Sequence, residues 1–453
     1  MFLYKRMNQK MKRLFLLIAV GYMTATQCSM AQQAWSLEDC IAYAKEHNIT
    51  LQKARLSAES AEEDVKGSRG ALLPTLSAST NQSVGYRPWQ DSGTTTVSNG
   101  YVNTKVDKGY YNGSYGVNAQ WTVWNGNRNY NQLKQNKLSA QQAEREAEVT
   151  ANSIQEQIAK LYVQILYLNE AVKVSQQSLE TSKKNEERGQ QMLEVGKMSK
   201  ADVAQLSAQR ATDEYNIVEA KANIARYKLQ LKQLLELSGD QEFDIVIPPT
   251  TDTQALAEIP GLQSTYEQAL ATRPEIASSQ LGIESSELAT KIAKAGYLPS
   301  LSMNAGVGTS TNSLSSNTWG RQMKTNFDAS AGLSLSIPIF DGRQTKTSVR
   351  KARIQQQQAQ LNYLDTQKEL YQTIESYWLD AETNQQKFRA ALATEESEQQ
   401  SYNLLQEQFQ LGLKNIVELM TGKDKLLSAQ QNKLQSKYQT LLAQQMLKFY
   451  SGK

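Results

Sequence analysis

The chain has 453 residues, of which 40% are hydrophobic and 21% charged, and its formal net charge is +4. Beyond the N-terminus no stretch approaches the ~20 consecutive apolar residues of a membrane-spanning helix, which excludes a polytopic helical membrane protein. One His and two Cys leave little for metal or nucleophile chemistry, and P-loop, dinucleotide-binding and nucleophile-elbow motifs are missing, so we expect no cofactor, no metal site and no enzymatic activity.

Residues 1–31 are predicted to be a secretory signal peptide. Five basic residues precede a short apolar core at residues 14–20, and Ser29-Met30-Ala31 is typical of a cleavage site. Acylation at Cys28, as in a lipoprotein, is the alternative, although Gln27 fits it poorly. Without this segment the chain has 44 basic and 45 acidic residues, so its charge gives no argument for a nucleic-acid partner.

The rest of the sequence contains an internal repeat. Residues 72–76 (Leu-Leu-Pro-Thr-Leu) recur as residues 297–301 (Tyr-Leu-Pro-Ser-Leu), and Gly196 recurs as Gly412 at a slightly shorter offset. Offsets that stay nearly constant over ~160 residues indicate a duplication. The predicted organisation is a first repeat at residues 32–238, a linker rich in Pro and Gly at 239–262, and a second repeat at 263–453.

Each repeat is predicted to contain a helix, two strands joined by a polar loop, and a long helical hairpin. Apolar and polar residues alternate strictly along the strands, with aromatic residues toward the ends, which is typical of transmembrane β-barrel strands. A soluble hairpin with one buried face is the alternative. The predicted strands span residues 75–86, 110–124, 300–308 and 327–340, and the predicted loops lie at about 87–108 and 309–324.

The two helical hairpins are predicted at residues 127–237 and 343–450. Apolar residues follow each other at alternating steps of four and three, which indicates a narrow seam of the coiled-coil kind. A helix of ~60 residues is about 90 Å long. The hairpins are expected to turn at Gly196 and Gly412, since glycine accepts the left-handed conformation that ends many helices.

Four strands per chain are too few to close a barrel, because open sheet edges are not tolerated in hydrocarbon and the smallest natural barrels have about eight strands. If the strands lie in a membrane, the chain must assemble with copies of itself. Two copies would supply eight strands and three copies twelve. Polar side chains would then line a water-filled lumen.

Taken together, these features resemble the TolC-type outer membrane efflux factors. The resemblance rests on the duplication, the Leu-Pro-x-Leu that begins a strand, the aromatic-x-Gly that leads into a long helix, and the Gly-x5-Asp-Val turn. It implies a mixed, mainly α fold in which a homotrimer forms a twelve-stranded barrel in the outer membrane, continuous with a periplasmic α-helical barrel. It also implies an export duct for small molecules or proteins, with outer membrane lipid, a periplasmic adaptor and an inner-membrane pump as partners.

The resemblance further implies a periplasmic gate at the hairpin turns. Glu418 falls on a position used for a ring of carboxylates, and Thr421 stands where the family often has a second acid. Asp202 and Lys414 match a pair that tethers neighbouring hairpins in the closed state, and Phe409 matches an aromatic residue near it. The residues expected at the adaptor-docking tips are Gly196, Lys197, Met198, Gly412 and Leu413.

Repulsion between carboxylates gives a reason for a gate that does not depend on the resemblance. Three carboxylates near one axis would repel each other and favour cation binding, and pairing with Lys414 would offset part of that repulsion. The alternative is that these groups are solvated charges at helix ends, worth less than ~1 kcal/mol each. At the level of the whole protein, the alternative function is a periplasmic coiled-coil scaffold or adaptor with a soluble β-domain.

Overall fold

A computed structural model describes residues 34–89, 92–97, 100–105, 107–238 and 243–452. The signal peptide predicted for residues 1–31, including Cys28, lies outside these ranges. In chain order the elements are α1 (Leu37–His47), α2 (Ile49–Gly70), β1 (Thr75–Tyr86), β2 (Ser92–Val97), β3 (Gly100–Lys105), β4 (Gly109–Trp124), α3 (Arg128–Glu194), α4 (Lys200–Leu234), α5 (Asp252–Ala255), α6 (Leu262–Thr272), α7 (Pro274–Lys294), a 3-10 turn (Ala295–Tyr297), β5 (Ser300–Asn312), α8 (Trp319–Thr325), β6 (Asp328–Ser336), α9 (Gln344–Gln410) and α10 (Ile416–Tyr450).

The order of elements repeats in the two halves of the chain. Each half has two helices, a strand, a connection, a second strand and a helical hairpin. The first hairpin helices, α3 and α9, have 67 residues each, and the returning helices, α4 and α10, have 35 each. The mainly α, duplicated fold predicted from the sequence is therefore confirmed. Among the described residues, none of the helices has both the length and the apolar character needed to cross a membrane.

The main sheet has four antiparallel strands in the order β1-β4-β5-β6. Its register aligns the apolar positions in rows, because Leu76 pairs with Ala119, Ala119 with Ala305, and Ala305 with Ala331. The apolar face is open in the single chain: Leu76 is 76% exposed and Leu333 71%. The opposite face carries mainly Ser and Asn, so the sheet is amphipathic.

Three parts of this region differ from the sequence-based boundaries. Strand β6 ends at Ser336 rather than near residue 340, and Pro338, two residues further on, has no N–H to donate to a ladder. Strand β5 continues to Asn312, into the predicted loop. The two predicted loops contain the β2–β3 hairpin and helix α8, which local turn composition did not reveal.

The chain divides into two compact units. A helical unit comprises the described residues up to 52 together with 150–272 and those from 371 onward, and a sheet-bearing unit comprises 53–149 and 273–370. Both units draw on both repeats. The repeat boundaries at 32–238 and 263–453 therefore differ from the boundaries of these units, and they stay a prediction about the duplication.

The helical unit has a continuous apolar core. It contains the predicted seam of α3, including Ile158 and Ile165, packed with Leu231 of α4 and Cys40 of α1. Burial raises the pKa of the Cys40 thiol to about 12, so this cysteine behaves as a small apolar group. In the second repeat, Phe388 of α9 is fully buried.

Candidate functional site

Both helical hairpins turn through the same backbone motif. Gly196 and Gly412 have φ of +73° and +76°, in the left-handed region that favours glycine. The amide of Lys197 donates to the carbonyl of Met192 at 2.8 Å, and that of Leu413 to the carbonyl of Gln408 at 2.9 Å. These bonds, with the matching ones from the two glycines, form a Schellman motif at the end of α3 and of α9.

Each returning helix begins with a capping box that uses a predicted gate carboxylate. In α4, the amide of Ser199 donates to Asp202 Oδ2 at 3.3 Å, and Ser199 Oγ accepts from the amide of Asp202 at 3.1 Å. In α10, the amide of Asn415 donates to Glu418 Oε2 at 3.1 Å, and Asn415 Oδ1 accepts from the amide of Glu418 at 2.9 Å. Asp202 and Glu418 therefore satisfy backbone N–H groups that a helix start leaves unpaired.

Lys414 pairs with Glu418 within its own turn. Its ammonium lies 2.6 Å from Glu418 Oε1, and this hydrogen bond, with the backbone amide of Asn415, lowers the pKa of Glu418 below its ordinary value. In the described part of one chain, Lys414 and Asp202 form no ion pair with each other. Thr421 turns its hydroxyl back onto the carbonyl of Val417 at 2.8 Å.

An apolar cluster supports the two turns and leaves an apolar rim at their tips. Phe409 is buried against Leu206 of the first hairpin and Ile416 of the second, and Met198 packs at the edge of this cluster. The rim consists of the exposed side chains of Val195, Leu411, Leu413 and Val417. The predicted docking residues thus lie at tips that combine exposed apolar surface with a few charges.

Sequence reasoning missed a buried polar cluster in the helical unit. Asp213 of α4 is 3% exposed and Lys423 of α10 is 5% exposed, and the Lys423 ammonium contacts both Asp213 and Ser182 of α3. Ser182 Oγ donates to Asp213 Oδ2 at 2.6 Å, and Gln209 Nε2 donates to Asp213 Oδ1 at 3.3 Å. One network therefore joins three helices from both repeats.

A signal for this cluster exists in the comparison of the two repeats. At the offset that relates the two hairpins, Asp213 corresponds to Ala429 and Lys423 to Ser207. A charge in one repeat where the other has a small residue is the sequence difference that these two positions share. Burial and the neighbouring Asp213 also raise the pKa of Asp424.

The turn geometry makes a direct prediction. Replacing Gly412 with alanine is expected to lower the free energy of unfolding by about 1–2 kcal/mol, because a side chain penalises the left-handed conformation. The matched control is Gly282→Ala in the interior of α7, where an added Cβ would have nothing within 4 Å and is expected to stabilise by about 0.5–1 kcal/mol. Chemical denaturation measures both, and equal effects of the two substitutions would contradict the turn assignment.

Comparison with known proteins supports a family assignment. The sequence profile of the family described as outer membrane efflux protein matches residues 40–236 and 265–453. The outer membrane efflux protein BepC of Brucella suis biovar 1 is 21% identical over 439 residues, covering 96% of this chain and 90% of the relative. The alkaline protease secretion protein AprF of Pseudomonas aeruginosa is 23% identical, covering 85% and 77%. The solved structure of CusC matches the fold with a TM-score of 0.79 at 16% identity, covering 93% of this chain and 95% of that one.

Proposed function

The chain belongs to the outer membrane efflux protein family, and from this premise we propose that it is the outer membrane duct of an export system. In this proposal three copies close one barrel from their sheets, and the helical hairpins extend into the periplasm. The relatives' names span efflux and protease secretion, so the cargo class is either small molecules or proteins. A periplasmic adaptor and an inner-membrane pump complete the system.

The observation that carries this proposal is the amphipathic, unclosed sheet. Its apolar face is exposed over all four strands, and in the described part of the chain β1 and β6 each pair on one side only. An apolar face with open edges is unfavourable in water and in lipid alike, since lipid leaves the edge N–H and C=O groups without partners. Pairing β6 of one copy with β1 of the next gives the edge N–H and C=O groups partners, and the closed barrel can then expose its apolar face to lipid.

Channel formation by the full-length exported protein tests the proposal. Added to planar lipid bilayers, the protein is expected to give discrete conductance steps, and on unheated SDS gels it is expected to migrate as a trimer. Recovery as a monomer in the soluble periplasmic fraction, without channel activity, would overturn the duct and favour the scaffold alternative.

We further propose that Glu418 forms a cation-attracting ring at the periplasmic entrance. Glu418→Gln is the sharpest test, because glutamine at this capping-box position still accepts from the amide of Asn415 while the negative charge is lost. We expect divalent cations to block the Glu418→Gln channel several-fold less, and Asp202→Ala to raise the single-channel conductance. Unchanged block and unchanged conductance in the two variants would remove both residues from the gate.

The tips of the two hairpins are the proposed adaptor contact. Gly196, Lys197 and Met198 form one tip and Gly412 and Leu413 the other, and the exposed apolar rim beside them supports an interface rather than a solvated turn. Lys414 lies beside this rim, and its ion pair with Glu418 at 2.6 Å compensates part of its positive charge. This arrangement suits a partner surface that combines apolar and acidic groups.

A further inference from the structure

Helix α8 is fixed onto the end of β5 that lies away from the long helices. Gln322 is 5% exposed, and its amide group pairs with both the N–H and the carbonyl of Asn312, at 2.8 and 3.1 Å. Thr309 Oγ1 donates to the carbonyl of Met323 at 2.8 Å, and Asn326 Nδ2 donates to the carbonyl of Ser310 at 2.7 Å. These contacts hold a helix of seven residues on the sheet.

Helix α8 lies on the apolar side of the sheet, at the level where the apolar row of β5 ends. The ring of Trp319 meets that of Tyr115 edge-on, with centroids 6.2 Å apart, and Tyr115 pairs with Thr309 in the ladder. The preceding position on this face is the apolar pair of Val117 and Val307. Helix α8 therefore lies where the apolar residues of β5 give way to Thr309 and Thr311.

The outward side of α8 is cationic. Arg321 and Lys324 are exposed and three residues apart, which makes them neighbours on a helix surface. Neither forms a salt bridge with a residue that the structure describes, and the nearest acidic residue along the chain is Asp328, at the start of β6. Two like charges at this spacing repel each other weakly, and an anion lying against both would relieve that repulsion.

Resting on the proposed function, we propose that α8 binds the phosphate groups of lipid headgroups in the outer leaflet of the membrane. The apolar band below α8 would be in contact with acyl chains, and Trp319 would lie at the interface, where Trp is enriched. At that depth Arg321 and Lys324 meet headgroup phosphates, for which a guanidinium offers paired N–H donors. The proposal assigns a lipid-contact role to a helix that does not line the duct.

The test uses the full-length protein in uncharged detergent micelles, with bisphosphorylated lipid A as the probe and native mass spectrometry of retained lipid as the readout. The double variant Arg321→Gln/Lys324→Gln is expected to lower the apparent affinity about tenfold, and the dephosphorylated lipid is expected to bind wild type no better than it binds the variant. The control Lys346→Gln/Arg350→Gln removes two exposed cations of α9 and is expected to retain wild-type affinity.

The proposal would be overturned if wild type and the α8 variant bound bisphosphorylated lipid A with equal affinity. It would also be overturned if wild type bound the dephosphorylated lipid as tightly as the bisphosphorylated one. The duct is checked separately by conductance in bilayers of zwitterionic lipid, where the α8 variant is expected to match wild type. A wild-type protein that formed no channels there would refute the duct, whatever the lipid-binding result.

Discussion

Replacing Lys423 with methionine is expected to lower the free energy of unfolding by about 3–5 kcal/mol, because it leaves the Asp213 carboxylate buried without its counter-charge. The network also loses the ammonium that contacts Ser182. Since these residues lie on α3, α4 and α10, the loss affects the packing of both hairpins at once. The structural unit that loses stability is the helical one.

Denaturation by guanidinium, followed by far-UV circular dichroism at one protein concentration, measures this effect. Lys425→Met is the matched control, since Lys425 is an exposed lysine two residues away on the same helix and is expected to change stability by less than about 0.5 kcal/mol. Combining Lys423→Met with Asp213→Leu is expected to recover most of the loss, because two apolar groups can replace a buried pair. If Lys423→Met lowers the free energy of unfolding no more than Lys425→Met does, the pair of Asp213 and Lys423 is solvated.

Arginine at Ala305 is expected to destabilise the membrane-inserted protein by about 2–4 kcal/mol, since lipid-facing Arg near the bilayer midplane carries that cost. Ala305 lies at the centre of the apolar face, between Ala119 and Ala331 in the ladder. The residues beside it on the two neighbouring strands are both alanines, so no polar side chain directly beside it can pair with the guanidinium.

Asn304→Arg provides the comparison, because Asn304 is the adjacent residue on the polar face of the same strand. We expect this variant to keep its stability in lipid vesicles and to change the ion selectivity of the channel instead. Urea unfolding from vesicles measures the stabilities, and equal destabilisation by the two arginines would contradict the assignment of the faces.

The order and type of the elements could be predicted because their signals are local. Period-two alternation identified four strands, and two glycines at matching offsets identified two turns that the structure builds from the same hydrogen bonds. The end of β6 was missed because the alternation continues through Ile337 and Ile339, while Pro338 cannot extend the ladder. Helix α8 was missed because its anchors are tertiary: Gln322 pairs with the backbone of Asn312 in a strand.

The charges at the turns could be located from the sequence, but their contacts could not. The sequence identified Asp202, Lys414 and Glu418 as charges at the turns, but their nearest partners follow from helix starts, so Lys414 pairs with Glu418 within one turn. The buried pair of Asp213 and Lys423 was not foreseen, since the two residues are 210 positions apart and neither has a charged counterpart in the other repeat. Only packing of distant helices brings such groups together.

The two hairpin turns share a backbone but differ in the side chains they present. Behind the same left-handed glycine, one tip carries Lys197 and Met198, while the other carries Leu413 and Lys414. If these tips are the adaptor contact proposed above, a partner assembled from identical subunits would meet two tips of equal backbone shape and unequal side-chain chemistry on every chain. Such a partner either leaves one tip unoccupied or binds the two tips with different affinities, and in the second case its subunits would bind in two successive steps.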